Sequence, residues 1–119
     1  MKTIARFDEL AKNLTATANG PSWNMGGLGS DIPSKFSAFM NVTAVTGTTP
    51  SMTVKFQRSH NAVDWTDVTS GAFSAATAAS VKELNGVTWV GAGGWVRYVA
   101  TISGTTPDFT FDLNVWMHE

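Results

Sequence analysis

Ser59, His60 and Asp64 are the residue types of a hydrolytic triad, set within one short stretch, "SHNAVD". A working relay needs its acid, base and nucleophile to converge. Three residues on one turn do not offer that, and the chain contains no Gly-x-Ser-x-Gly elbow. His60 therefore reads as a turn residue. Asp64 and Asp67 flank Trp65, but two carboxylates without a glycine-centred loop make a poor calcium site and read as solvated turn carboxylates. His60 and His118 are the only histidines and cysteine is absent, so neither a histidine-rich metal centre nor thiol chemistry is available. The run "GAGGW" has the glycines of an anion nest. No Lys-Ser/Thr follows and no helical pattern starts there, so it reads as a loop or bulge. Nothing singles out a carboxylate pair for glycoside hydrolysis. The residues point to no enzyme, no metal and no cofactor.

Tryptophan carries more information. Trp23, Trp65, Trp89, Trp95 and Trp116 are many for 119 residues, and most should fill the core because each buries a large area. Trp116 differs. It falls on the polar side of an alternating run, with Asp112, Asn114 and His118. In that register it is either a candidate interface or sugar-stacking aromatic, or it is covered within the monomer.

The elements that must position these residues are strands. Phe36, Ala38, Met40, Val42 and Ala44 line one face, and Met52, Val54 and Phe56 alternate with Thr53, Lys55 and Gln57. Phe109, Phe111, Leu113, Val115 and Met117 alternate in the same way. Asn19-Gly20-Pro21 and the residues from His60 to Val63 are turn signals, "DWTDV" is a short strand, "GGLGSDIPSK" is a loop, and Asn85-Gly86 reads as a two-residue hairpin turn. Turns recurring every ~8–12 residues predict an all-β, antiparallel β-sandwich of jelly-roll or immunoglobulin type.

At the N-terminus, Ile4, Phe7, Leu10 and Leu14 recur at helical spacing, which predicts a short helix or an extended arm over residues 1–14, ahead of a β domain over 15–119. The apolar stripe lies outside the alternating runs, so these four residues are candidates for attachment to a partner. Capping of the sandwich and a neighbouring subunit are the alternatives.

Gly-Thr-Thr-Pro occurs twice, from Gly47 and from Gly104, each followed by an apolar/polar alternation. Glycine allows an unusual φ, and proline can open a strand where its missing N–H does least harm. Each copy reads as strand, tight turn, strand, with the two units packing their apolar faces together.

Composition narrows the functional classes. The net charge of −1 gives no electrostatic case for nucleic acid. No run approaches the ~20 apolar residues that span a bilayer, and the N-terminus lacks a signal-peptide core, so a soluble chain made in the cytoplasm is expected. Charged residues are only 14 %, below the usual ~25 %, which fits a Thr/Ser-rich surface or one covered by a partner.

The segments "LTATANG", "MNVTAVTGTTPSMTVKFQRS", "DWTDV" and "WVRYVATISGTTPDFTFDLNV" resemble a family of small β-sandwich structural proteins of tailed bacteriophages, of the capsid decoration or cement type. The likeness runs roughly from Leu14 to Val115. It implies no catalysis. It implies a homo-oligomer, dimer or trimer, on the outer surface of a virion head, with the major capsid protein as partner and with neither nucleic acid nor membrane. A tail or head–tail component, or a carbohydrate-binding module that offers Trp to a glycan, is the alternative.

Overall fold

The computed structural model describes residues 3–25, 33–89 and 94–119. Seven strands run in chain order: β1 (Thr3–Leu14), β2 (Ala18–Asn19), β3 (Trp23–Asn24), β4 (Lys35–Ser59), β5 (Thr66–Ala72), β6 (Ser80–Thr88) and β7 (Trp95–His118). They form one antiparallel sheet. Most of the segment "GGLGSDIPSK" and residues 91–93 of "GAGGW" lie outside the described residues.

The spine is the β4–β7 pair, in register from Lys35 opposite His118 to Ser59 opposite Trp95. Strands of 25 and 24 residues would each reach about 80 Å if straight, at ~3.3 Å per residue. The molecule's longest extent is 47 Å. The ribbon therefore folds back on itself, and two ring contacts within single strands prove it. Phe36 meets Phe56 edge-on, with centroids 5.2 Å apart, and Tyr98 meets Phe111 at 6.1 Å.

Both folds are made by Gly-Thr-Thr-Pro. The two copies lie opposite each other, where the β4–β7 register shifts twice between Thr46 and Ser51. They are corners inside continuous strands, not turns between strands. Gly47 and Gly104 take φ of 118° and 116°, and Thr49 and Thr106 take 48° and 47°. A Cβ on Gly47 would meet Thr106 O at 2.7 Å, and one on Gly104 would meet Thr49 O at 2.8 Å. Each glycine thus makes room for the other copy's threonines in a pseudo-twofold corner. That reciprocity is the physical content of the repeat.

The corner divides the sheet into two facing halves. In one, β1, β7, β4 and β6 lie side by side. In the other, β2 and β3, then β7, β4 and β5 do. The core between them includes Phe36, Met40, Met52, Phe56, Phe109 and Phe111, all fully buried. The expected core positions Met52, Val54, Phe56, Phe109, Phe111 and Leu113 are all there, whereas Ala44, beside the corner, is exposed.

Three local expectations are corrected. The N-terminal helix is absent: residues 3–14 are strand β1, paired with β7 from Thr3 opposite His118 to Leu14 opposite Phe109. The stripe does not form one face: Phe7 and Leu14, seven residues apart, both pack on the core because a bulge interrupts the period-two strand, while Leu10 is exposed. The register shifts between Glu9 and Lys12, Ala11 takes a φ of 50°, and its N–H donates to Asp112 Oδ1 at 2.7 Å. Second, Asn85-Gly86 is not a hairpin turn but a bulge within β6, opposite Ser37. Third, the Gly-Thr-Thr-Pro turns are the corners described above.

β1 is tied into the core. Phe7 stacks on Trp23, with centroids 5.1 Å apart and planes at 11°. The buried Tyr98 hydroxyl donates to Glu9 Oε1 at 3.1 Å. Burial, and then the Glu9 charge, push the phenol well above its ordinary value of 10.0. Between that value and the raised one the unfolded chain has lost the proton that the folded chain keeps, so stability falls as pH rises. Denaturation midpoints should hold up to about pH 10 and decline above it, with tyrosinate absorbance appearing only on unfolding. Tyr98 is the only tyrosine, so the absorbance is unambiguous. A phenol that titrates normally in the folded protein would show that the Glu9 contact does not form.

Candidate functional site

The outward face of the β1–β7–β4–β6 half carries the most distinctive surface. Alternation fixes it: Phe36, Ala38, Met40, Leu113, Val115 and Met117 point into the core, so the residues between them point out. Cross-strand register then sets two rows. Arg6, Trp116 and Ser37 are neighbours in one, and Asp8, Asn114, Phe39 and Glu83 in the next. Trp116 and Phe39 are half-buried, and Val81 on β6 is exposed. Together with Thr3, Ser37, Glu83 and Asn85, the two aromatics line a shallow cleft of about 360 Å³.

The polar groups beside the cleft are organised. The Arg6 guanidinium lies 5.0 Å from the Trp116 ring centroid, and Arg6 Nε donates to Asp8 Oδ1 at 3.1 Å. Asn114 Nδ2 donates to the same oxygen at 2.6 Å. The Asn114 hydrogen bond first, and Arg6 second, hold the Asp8 carboxyl below its ordinary value. Behind the cleft, Gly86 N–H donates to Ser37 Oγ at 3.0 Å, and Ser37 Oγ lies 2.9 Å from His118 Nε2. His118 Nδ1 lies 2.9 Å from the Glu119 carbonyl. The simplest assignment puts the proton on Nδ1, leaving Nε2 to accept from Ser37. His118 is only 3 % exposed, so the chain of bonds works as a strut between β6, β4 and the end of β7.

The other half's outward face holds a second polar chain. Arg97 lies 4.2 Å from the Trp65 centroid and donates to Gln57 Oε1 at 2.9 Å. Gln57 donates to Asp67 Oδ1 at 2.8 Å, and Lys55 Nζ sits 3.1 Å from Asp67 Oδ2. These contacts, Gln57 first, lower the Asp67 carboxyl. Asp64 instead accepts from Asn61 at 2.9 Å, so the two aspartates serve different neighbours. Among the described residues no three His, Cys, Asp or Glu side chains gather to hold a metal.

The sequence candidates land as follows. Ser59 Oγ accepts from Asn61 N–H at 3.2 Å and Ala62 N–H at 2.9 Å, and pins a loop. Among the described residues His60 bonds to neither Ser59 nor Asp64. Trp116 is on the outward face, as its alternation requires. Phe7 and Leu14 pack against the core, Ile4 is half-buried, and Leu10 stands 68 % exposed. Sequence reasoning missed Phe39. Its signal was available: it is the one large apolar residue at an outward position between Phe36 and Val42.

Tryptophan ring faces are largely occupied from within. Phe7 covers Trp23, Arg97 covers Trp65 and Arg6 covers Trp116, while Trp89 is buried against Phe36 at 6.2 Å. On Trp65 and Trp116 a guanidinium thus occupies one ring face.

No protein-family model and no curated protein matches the chain. Solved structures do. The PBSX exported protein XepA aligns with a TM-score of 0.66 at 18 % identity, over 99 % of this chain and 39 % of that one. The SPBc2 prophage-derived protein YomS aligns with a TM-score of 0.51 at 12 % identity, over 94 % and 93 %. A chain of infectious bursal disease virus, Gt strain, aligns with a TM-score of 0.51 at 13 % identity, over 98 % and 32 %. This chain thus spans well under half of the XepA and virus chains, and at these identities the likeness is one of fold. The fold is an antiparallel all-β fold that phage-derived and viral proteins also use.

Proposed function

We propose that the chain is a virion structural protein of a bacteriophage, a decoration protein that binds the outer surface of the assembled head. One observation carries the reading: the Trp116–Phe39 cleft, an aromatic patch on the open face of a rigid sheet in a chain with few charges. Interfaces favour such aromatics at their centre, ringed by polar groups that exclude water. The phage-derived structural neighbours and the family resemblance are consistent with it. The major capsid protein is the proposed partner.

The mechanism is linkage. A protein that binds the assembled shell and not its dissociated subunits stabilises the shell by RT ln(1 + [L]/Kd) per site, about 2.7 kcal/mol at a hundredfold excess over Kd. Summed over a lattice, small terms resist internal pressure. Of the N-terminal stripe, Leu10 is the member left to reach a partner.

The test is co-sedimentation with empty, expanded heads of the phage that encodes the chain. Wild type should pellet with the heads. Trp116→Ala with Phe39→Ala should lose at least tenfold in affinity, since an anchor residue is worth ~2 kcal/mol or more. Melting should change little. A double variant that decorates at full occupancy would remove the cleft from the interface. Failure of wild type to pellet, together with quenching of its tryptophan fluorescence by glycans, would favour the carbohydrate-binding alternative.

A further inference from the structure

Asn85 and Gly86 sit where β6 slips against β4. Phe36 lies opposite Val87 and Ala38 opposite Leu84, so Ser37 faces two residues of β6 instead of one. At this bulge the Gly86 N–H donates to a side chain, Ser37 Oγ, at 3.0 Å, and Ser37 Oγ lies 2.9 Å from His118 Nε2. We propose that Asn85 is a site of self-modification. Its carboxamide is lost through a cyclic imide with Gly86, drawn on by a Ser37–His118 proton relay, and a carboxylate is left on the lip of the Trp116–Phe39 cleft.

A backbone nitrogen attacks a carboxamide only as it gives up its proton. A serine hydroxyl accepts one hydrogen bond while it donates another, so it can pass a proton on. With the His118 proton on Nδ1, held at 2.9 Å by the Glu119 carbonyl, Nε2 is the acceptor at the end of the relay. The Gly86 proton moves to Ser37 Oγ as the Ser37 proton moves to Nε2. Gly86 N bonds to Asn85 Cγ. The proton held by His118 returns to the departing nitrogen, which leaves as ammonia. Water then opens the imide at either carbonyl and leaves aspartate or isoaspartate. Glycine favours the closure because it has no Cβ to crowd the ring. Asn85 is exposed, so water reaches it and ammonia escapes.

The chain carries a second Asn-Gly pair, Asn19-Gly20, without this arrangement. Asn19 is exposed too, but the Gly20 N–H donates to the Tyr98 carbonyl at 2.8 Å. A carbonyl accepts a hydrogen bond and passes no proton on. Gly20 also lies so close to the Tyr98 ring that a Cβ there would collide with it, which holds its backbone in place. The structure thus separates two identical dipeptides. Asn85 lines the cleft with Glu83 and Trp116, so the new carboxylate sets a second negative charge beside Glu83. The chemistry needs no shell, so it stands or falls apart from the proposed function.

The test follows the exchange of amide for acid by peptide mass, in full-length protein incubated at neutral pH below its melting transition. Asn85 should convert faster than Asn19 by about tenfold or more, and Ser37→Ala and His118→Gln should each slow Asn85 by about tenfold or more, a modest share of what positioned acid–base groups supply. Ser37→Thr keeps the hydroxyl and should keep the rate. A hydrogen bond that merely locks Gly86 predicts the opposite sign, because Ser37→Ala would then quicken the loss. A loosened fold would quicken Asn19 as well, so Asn19 reports folding in every variant. Should a variant quicken both sites, the wild-type ratio decides. Wild type in which Asn85 converts no faster than Asn19 would overturn the proposal. So would a Ser37→Ala or His118→Gln chain, with Asn19 unchanged, that loses its Asn85 amide as fast as wild type or faster.

Discussion

Deleting residues 1–14 should cost the protein most of its stability. β1 pairs along its length with the second half of β7, which carries Phe109, Phe111, Leu113 and Val115 into the core. Phe7, Leu14 and Ala5 pack against that core, and burying a large apolar side chain contributes ~1.5–3 kcal/mol. Phe7 and Leu14 are partly buried, so the two give less than the ~3–6 kcal/mol of full burial; the lost β1–β7 pairing adds to it, against a usual total of ~5–15 kcal/mol. The deletion also uncovers Trp23 and takes Glu9 from the Tyr98 hydroxyl. The truncated chain should lose its near-UV circular dichroism and its cooperative melting transition. A truncated chain that melts within ~2 °C of the full one would return residues 1–14 to the role of a free arm, because ~1 kcal/mol already moves a domain of this size by about 4 °C.

Gly47→Val and Gly104→Val should each destabilise by about 3 kcal/mol or more. A φ near 117° lies in the region that side chains with a Cβ rarely enter, which costs of order 1–3 kcal/mol. The space is also taken by backbone. Behind Gly47 stand Thr106 O at 2.7 Å and Pro107 Cα at 3.0 Å, and behind Gly104 stand Thr49 O at 2.8 Å and Pro50 Cα at 3.0 Å. Unlike a side chain, these atoms cannot rotate aside. The pseudo-twofold predicts that the two substitutions have similar effects. Gly86→Ala is the control. Its φ of 59° is ordinary left-handed backbone, and a Cβ there meets nothing nearer than Lys35 Cδ at 3.9 Å. It should cost only about 1 kcal/mol. Urea midpoints would decide. If Gly47→Val costs no more than Gly86→Ala, the corner is not the rigid fold that it is taken to be here.

The sequence was most readable where structure depends on a residue's own neighbours. Alternation along Met52–Phe56 and Phe109–Met117 identified inward and outward positions, because a strand's side chains change face at every residue. It also put Trp116 on the open face. The loop at Ser59–Asp64 was legible too, since serine, asparagine and aspartate bond to their own local backbone.

The misreadings share a cause. Ile4, Phe7, Leu10 and Leu14 imitate a helical stripe but do not share a face: Leu10 is exposed, and Phe7 and Leu14 both reach the core only because a bulge at Leu10–Ala11 adds a residue to the two-residue period, held by Asp112 on another strand. Asn85-Gly86 looks like a hairpin turn until Ser37 receives its N–H across the sheet. Gly-Thr-Thr-Pro has the residues of a turn, but the second copy opposite it keeps both chains paired through the bend.

By itself, then, the sequence determined that the chain is built of strands, which faces of the longest runs are apolar, and that one phrase recurs. Only the tertiary structure decided that the recurring phrase is a pair of corners, that the N-terminal stripe belongs to the sheet, and that Phe39 stands near Trp116. Those decisions rest on pairings between residues as far apart as Thr3 and His118. Local propensity carries no information about a partner at that distance. It is fixed only when both strands bury their apolar faces and satisfy their backbone groups together.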